Sequence, residues 1–226
     1  MTESNNIKSK YEYQVIKENI KNIDLTFKVL VIGNSGVGKS CISNKAVTNQ
    51  FFPEYTSTIG FEYFNFKMKI NNKIINLQIW DTCGQEIYKS IIKNYYKNSS
   101  LAILVYAIND IQSFDDINLW FKELRNNANP YIKIFLIGNK NDLEMERKIN
   151  FNQGLDLSKS LNFDYFCEVS AKTGFNAENL FIKASLLLYE DYISNEFLFD
   201  NNNTNSKLNY FETSINSKKI NNDKCC

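Results

Sequence analysis

Leu25-Thr26-Phe27-Lys28-Val29-Leu30-Val31-Ile32 runs directly into Gly33-Asn34-Ser35-Gly36-Val37-Gly38-Lys39-Ser40, and this junction decides the fold. Residues 25–32 are apolar and rich in β-branched side chains, which predicts a strand. The turn that follows fits G-x-x-x-x-G-K-[ST] in full, and a short helical segment comes next. Such a match arises by chance in roughly one chain in a hundred of this length; a strand before it and a helix after it sharpen it further. Its glycines let backbone N–H groups converge on phosphate oxygens, and the new helix turns its positive end toward the same anion. Lys39 would reach the β- and γ-phosphates and the Ser40 hydroxyl would bind Mg²⁺. Ser35, Gly36, Val37, Gly38 and Cys41 complete the set of candidate nucleotide contacts around this turn. The bland alternative is a tight strand-to-helix turn that happens to carry a lysine.

Outward from that junction, strands and helices alternate. Phe61–Ile70 and Lys73–Trp80 predict two strands joined at Asn71-Asn72, a hairpin. Leu101–Ile108 is an almost unbroken apolar run, as a buried parallel strand requires. Ile132–Ile137 and Phe163–Val169 predict two more strands. Helical spacing appears over Ser113–Asn127, Phe151–Leu161 and Ala177–Tyr192. The expected fold is α/β, of the P-loop nucleotide-hydrolase type: a mostly parallel six-stranded sheet with helices on both faces and one antiparallel edge strand. The expected organisation is an extension over residues 1–24, a nucleotide-binding domain over 25–194 and a disordered tail over 195–226. The extension shows only a weak helical spacing in Ile16, Ile20 and Ile23, and the tail is Asn-rich and poor in core-forming residues.

Composition removes several classes of function. The chain has 226 residues with 26 Lys and Arg against 25 Asp and Glu, so its net charge is +1. That disfavours a nucleic-acid binder. It contains no His, which excludes Ser-His-Asp and Cys-His chemistry and imidazole-bound zinc. Cys41, Cys83 and Cys167 are isolated, with no spacing that suggests a disulfide framework. No apolar run is long enough to span a bilayer, and the first 24 residues lack a signal-peptide core. A reducing cytosol is the expected compartment.

Two further loops choose the base. Asn139-Lys140-Asn141-Asp142 follows the strand Ile132–Ile137. The Asp142 carboxylate can accept from both N1–H and the exocyclic amine of guanine; adenine would leave it buried and unpaired. Ser170-Ala171-Lys172 follows Phe163–Val169, and a backbone N–H there can donate to the guanine carbonyl. Both loops leave the C-terminal ends of strands, where open α/β sheets bind ligands. Asp81-Thr82-Cys83-Gly84-Gln85 ends the strand Lys73–Trp80. Asp81 would hold Mg²⁺ there, with a helix N-cap as the bland alternative. The Gly84 N–H would approach the γ-phosphate and Gln85 would orient the attacking water. In the loop Phe51–Gly60, Thr58 would complete the Mg²⁺ shell, and Tyr55 is a further candidate nucleotide contact. Phe51 would pack edge-on to guanine or plug the core.

With Ser57-Thr58-Ile59-Gly60-Phe61-Glu62-Tyr63, Leu77-Gln78-Ile79-Trp80-Asp81-Thr82-Cys83-Gly84-Gln85-Glu86, Tyr95-Tyr96 and Leu104-Val105-Tyr106, the chain resembles the Ras superfamily of small GTPases, and within it the Rab family. The resemblance covers residues 25–194 and the extreme C-terminus. Cys83 stands where Ala is usual, Tyr63 where Phe is usual, and Ile87-Tyr88 replaces an Arg-containing pair. The resemblance implies a switch in vesicle traffic that cycles between GTP and GDP with Mg²⁺, using Gln85, Lys39 and Gly84 in a slow, partner-stimulated hydrolysis. It implies an exchange factor, an activating protein, effectors, a GDP-dissociation inhibitor and an escort-dependent prenyltransferase as partners, and a monomeric chain. Tyr63, Trp80 and Tyr95 match an aromatic triad that Rab proteins present to effectors; ordinary core aromatics are the alternative. Cys225 and Cys226 end the chain without a C-a-a-X box, and the resemblance implies geranylgeranyl groups on both. The expected location is the cytoplasmic face of intracellular membranes, with a cytosolic pool. Two rivals are a P-loop small-molecule kinase, disfavoured because Arg125 and Arg147 are the only arginines, and a nucleotide-bound scaffold with little turnover.

Overall fold

The structure is a computed structural model that describes residues 9–18, 20–51, 61–82 and 96–201, with side chains to residue 195. The elements run β1 (Tyr13–Ile16), β2 (Leu25–Ile32), α1 (Lys39–Thr48), β3 (Phe61–Ile70), β4 (Lys73–Thr82), β5 (Leu101–Ala107), α2 (Ile111–Asp115), α3 (Ile117–Asn127), β6 (Lys133–Asn139), α4 (Phe151–Ser160), β7 (Tyr165–Glu168) and α5 (Ala177–Asn201). One seven-stranded sheet orders its strands β1-β3-β4-β2-β5-β6-β7. β4, β2, β5, β6 and β7 are parallel neighbours, while β3 runs antiparallel to both β4 and β1.

Alternation along the central strands builds two cores, one on each face. Val29 and Val31 of β2 join Ile42 and Ala46 of α1 and Leu180, Phe181 and Ala184 of α5. Leu30 and Ile32 point the other way, to Ile117, Trp120 and Leu124 of α3, with Leu157 of α4 at the margin. Every residue of β5 is buried, which explains why that segment reads as a continuous apolar run. α4 begins with a capping box: the Asn150 side chain accepts from the Gln153 N–H while the Gln153 side chain accepts from the Asn150 N–H.

Three boundaries differ from the sequence reading. The sheet has seven strands rather than six, because residues within the N-terminal extension pair with β3 in the register Tyr13↔Ile70 to Ile16↔Lys67. Ile16, Ile20 and Ile23 do not share a helix face. Instead Tyr13 and Val15 lean onto the core beside Tyr11, and the Tyr11 ring meets Tyr189 of α5 edge-on at 5.2 Å. Lys17 then pairs with Glu178 of α5 and donates to the Ala46 carbonyl of α1, so this segment fastens the sheet edge to both helices. The helix expected over Ser113–Asn127 is broken at Asp116, which closes α2 and opens α3. The last helix runs on to Asn201, into the segment expected to be a disordered tail.

Candidate nucleotide site

The phosphate loop leaves β2 at its C-terminal end. Gly33 has a φ of 144°, and a Cβ there would lie 2.2 Å from the Val105 carbonyl oxygen, so the loop can pass β5 only without a side chain. Gly38 (φ 92°) opens α1, and a Cβ on it would lie 2.4 Å from Asn139 Nδ2. Lys39 is buried; its ammonium donates to the Gly33 and Asn34 carbonyls at 2.9 Å each. The lysine expected to reach phosphate is thus held across the mouth of its own loop. Ser35 and Gly36 are exposed at the loop tip, Val37 is buried in the core, and Cys41 is half-buried beside the loop.

Asp81 and Ser40 meet although 41 residues separate them, with the Ser40 hydroxyl donating to Asp81 Oδ2. Asp81 is fully buried, and its Oδ1 has no hydrogen-bond partner among the described residues. Burial pushes its carboxyl up to about 7. A buried carboxylate with an orphan oxygen facing a hydroxyl suits a hard divalent cation, so these residues fit Mg²⁺. No group of three acidic or thiol side chains surrounds it among the described residues.

The two base-selecting loops are brought together and tied to the phosphate loop. Asn139 donates to the Val37 carbonyl at 2.8 Å and accepts from the Ala171 N–H at 3.2 Å. One amide therefore joins all three motifs. Asp142 accepts from the Ser170 hydroxyl at 2.6 Å, with Lys172 Nζ at 4.0 Å from its other oxygen. Lys140 takes a positive φ of 67° at the turn between them. Phe51 is half-buried against the core on the α1 side.

Behind this site lies a brace that sequence reasoning missed. Glu168 of β7 is buried and accepts two hydrogen bonds from Arg147, at 2.6 and 2.8 Å, and a third from Asn141 at 2.7 Å. Arg147 also grips Glu144 and the Ile149 carbonyl. Asn141 sits in the middle of Asn139–Asp142, and Glu168 two residues before Ser170, so the brace sets one loop against the other. A signal was present: an acid in an otherwise apolar strand needs a partner, and the chain has only two arginines.

Tyr63 and Trp80 face each other across β3 and β4 at 5.6 Å, edge to face. Phe61, which sequence reasoning did not include, stacks on the same indole at 5.2 Å. Tyr63 is 43% exposed and Phe61 42%, while Trp80 between them is half-buried and packs against the second core. Tyr55, Thr58, Cys83, Gly84, Gln85, Tyr95, Cys225 and Cys226 lie outside the described residues.

A phosphate loop at the end of a central parallel strand, with a buried carboxylate opposite and paired loops beyond, defines a P-loop nucleotide-binding protein. A model of the Ras family matches residues 28–190. The chain is 37% identical to the Ras-related protein SEC4 of Saccharomyces cerevisiae over 92% of its own length and 94% of that relative. It is 36% identical to the GTP-binding protein ypt2 of Schizosaccharomyces pombe, over 83% and 94% of the two chains. The SEC4 protein of Candida albicans is 36% identical over 75% and 80%. The chain belongs to the Ras family, as a Rab-like small GTPase that binds GTP and GDP with Mg²⁺ and hydrolyses GTP.

Proposed function

We propose that the chain is a membrane-anchored switch of vesicle traffic whose guanine selectivity rests on Asp142 and whose hydrolysis rests on Gln85, Lys39 and Gly84. The observation that carries this reading is the single amide of Asn139 joining the phosphate loop to the Ser170–Lys172 loop, because it fixes the distance between phosphate and base sites. Asp142, held by the Ser170 hydroxyl, keeps its remaining lone pairs for the two guanine donors. The Ala171 N–H neighbourhood offers the donor for the guanine carbonyl. Ser35 to Cys41 surround the phosphates, and Phe51 and Tyr55 border the nucleotide.

Lys39 exchanges its two carbonyl partners for β- and γ-phosphate oxygens when substrate enters, so its charge stays compensated in both states. Ser40, Asp81 and Thr58 would hold Mg²⁺, which would neutralise phosphate charge when bound. Gln85 orients the water for in-line attack, and the Gly84 N–H takes up charge on the γ-phosphate. Arg125 donates to the Pro130 carbonyl and Arg147 is committed to Glu168. An activating protein therefore supplies the stabilising cation in trans, a contribution that reaches about 10³–10⁵-fold in such enzymes. The loops near residues 50–60 and 83–97 report the nucleotide state to effectors through Tyr63, Trp80 and Tyr95. An exchange factor, a GDP-dissociation inhibitor and an escort-dependent prenyltransferase complete the cycle. Geranylgeranyl groups on Cys225 and Cys226 hold the protein on the cytoplasmic face of intracellular membranes, since one lipid chain anchors only reversibly and two anchor stably.

Equilibrium binding of fluorescent GDP, ADP and XDP to the parent and to Asp142→Asn tests this reading. The parent should prefer GDP over ADP by about a hundredfold or more, and Asp142→Asn should shift preference toward XDP. Equal affinity of the parent for ADP and GDP would refute it.

A further inference from the structure

The second residue of the phosphate loop turns its side chain to the α2–α3 junction. Asn34 Nδ2 donates to Asp116 Oδ2 at 2.6 Å, and Asn34 Oδ1 accepts from Trp120 Nε1 at 2.7 Å. Both ends of the amide are therefore used, by groups 82 and 86 residues away. These partners are well placed to act as an anchor. Asp116 is the residue at which α2 ends and α3 begins, and its other oxygen accepts from Gln112 at 2.9 Å. Trp120 is buried in the core beneath α3. The backbone carbonyl of the same Asn34 is one of the two acceptors of Lys39. The side chain is fixed to the α2–α3 junction while its own carbonyl aims the phosphate-reaching lysine.

We infer that Asn34 is a positioning residue: it pins the phosphate loop to the α2–α3 junction and so sets how tightly the nucleotide's phosphates are held. The inference rests on the guanine-nucleotide reading of the site. It also implies that a partner pressing on α2 or α3 can loosen the nucleotide through Asp116 without touching it. The chemistry of the pin makes it reversible. An amide meets a carboxylate and an indole N–H. Exchanging the two side chains, Asn34→Asp with Asp116→Asn, preserves every bond. The amide, now at position 116, would donate to the carboxylate at position 34, and its oxygen would still accept from Gln112. The carboxylate at position 34 would accept from Trp120 as the amide oxygen did. Asn34→Asp alone sets two carboxylates face to face and removes the donor.

The test is the dissociation rate of fluorescent GDP at fixed Mg²⁺ in the full chain, alongside the melting temperature. Asn34→Asp should release GDP about tenfold faster, the equivalent of about 1.4 kcal/mol. The exchanged double variant should return to within about threefold of the parent. The comparison isolates the pin, because residue 34 carries the same added charge in the single and double variants. Repulsion between that charge and phosphate would therefore persist in both, whereas loss of the pin would not. Rates for Asn34→Asp within about twofold of the parent would overturn the inference, as would a double variant no slower than the single. If Asn34→Asp does not fold, Asn34→Ala and Trp120→Phe serve instead. Each should accelerate release, and parent-like rates in both would overturn the inference. A parent that does not prefer GDP to ADP defeats the functional reading itself. A parent that holds GDP while its release ignores these substitutions defeats the pin alone.

Discussion

Tyr106 of β5 carries a hydroxyl that is buried and has no hydrogen-bond partner among the described residues, and that hydroxyl is wedged between two glycines. A Cβ on Gly138, the residue before Asn139, would lie 2.8 Å from Tyr106 Oη, 2.9 Å from its Cζ and 3.2 Å from Glu168 Cγ. A Cβ on Gly154 of α4 would lie 2.5 Å from the same hydroxyl. Gly138→Ala thus drives a methyl group into a rigid phenol and into a glutamate that Arg147 and Asn141 hold through three hydrogen bonds. Neither neighbour can swing away, so the cost should fall in the ordinary overpacking range of about 1–3 kcal/mol. For a domain of this size about 1 kcal/mol moves the melting temperature by roughly 2–4 °C, and Gly138→Ala should lower it by about 2–12 °C. Tyr106→Phe removes an unpaired buried hydroxyl, whose desolvation costs about 1–3 kcal/mol. It should be neutral or raise stability by about 1 kcal/mol.

The two substitutions should also couple. With Phe at 106 the 2.8 Å contact is gone but the ring Cζ at 2.9 Å remains, so the double variant should be more stable than the sum of its parts by only about 0.5 kcal/mol. Thermal unfolding of the GDP-bound proteins measures all three. GDP dissociation should accelerate in Gly138→Ala, because pushing Glu168 shifts Asn141 and with it the base loops. The reasoning fails if Tyr106→Phe destabilises by more than about 1 kcal/mol, since the hydroxyl would then be satisfied. It fails too if Gly138→Ala causes no fall in melting temperature.

Arg147→Met should cost about 3–5 kcal/mol, because it strands the buried Glu168 carboxylate; a loss under about 1 kcal/mol in calorimetry would contradict the brace. Lys28 lies half-buried over the Trp80 ring at 4.7 Å, and burial pulls its ammonium down to about 8 from an ordinary value of 10.5. The folded chain gives up this proton before the unfolded chain does, so stability should rise with pH between about 8 and 10.5. Lys28→Met should flatten that rise; an unchanged pH profile of melting would refute the assignment. Changing Cys225 and Cys226 together to Ser should move the protein from membrane to soluble fractions with GDP affinity unaltered. Residues 195–226 carry balanced charge, which leaves no electrostatic anchor as a fallback; persistence on membranes would identify another anchor.

The division between what the sequence disclosed and what it concealed follows from what each side chain bonds to. Lys39, Ser40, Asp81, Asn139 and Asp142 each stand in a short motif at the end of a strand, so their spacing within that motif can be read along the chain. The parallel strands were equally legible, because burial on both faces leaves an apolar run such as Leu101–Ala107. Asn34, Asn141, Arg147 and Glu168 bond to other side chains across the sheet, between elements whose separation along the chain is arbitrary. No spacing marks them, and only the requirement that a buried polar group be paired hints that such partners exist. The N-terminal strand was hidden for a related reason. Tyr13–Ile16 is too short to show a period, and it becomes a strand only because β3 offers Lys67–Ile70 as an edge and Tyr189 receives Tyr11. Ile16, Ile20 and Ile23 offered a helical spacing in its place, and tertiary pairing overrode it. The same logic explains why Phe61 escaped notice although Tyr63 and Trp80 did not: its place in the patch is set by stacking on an indole in the neighbouring strand.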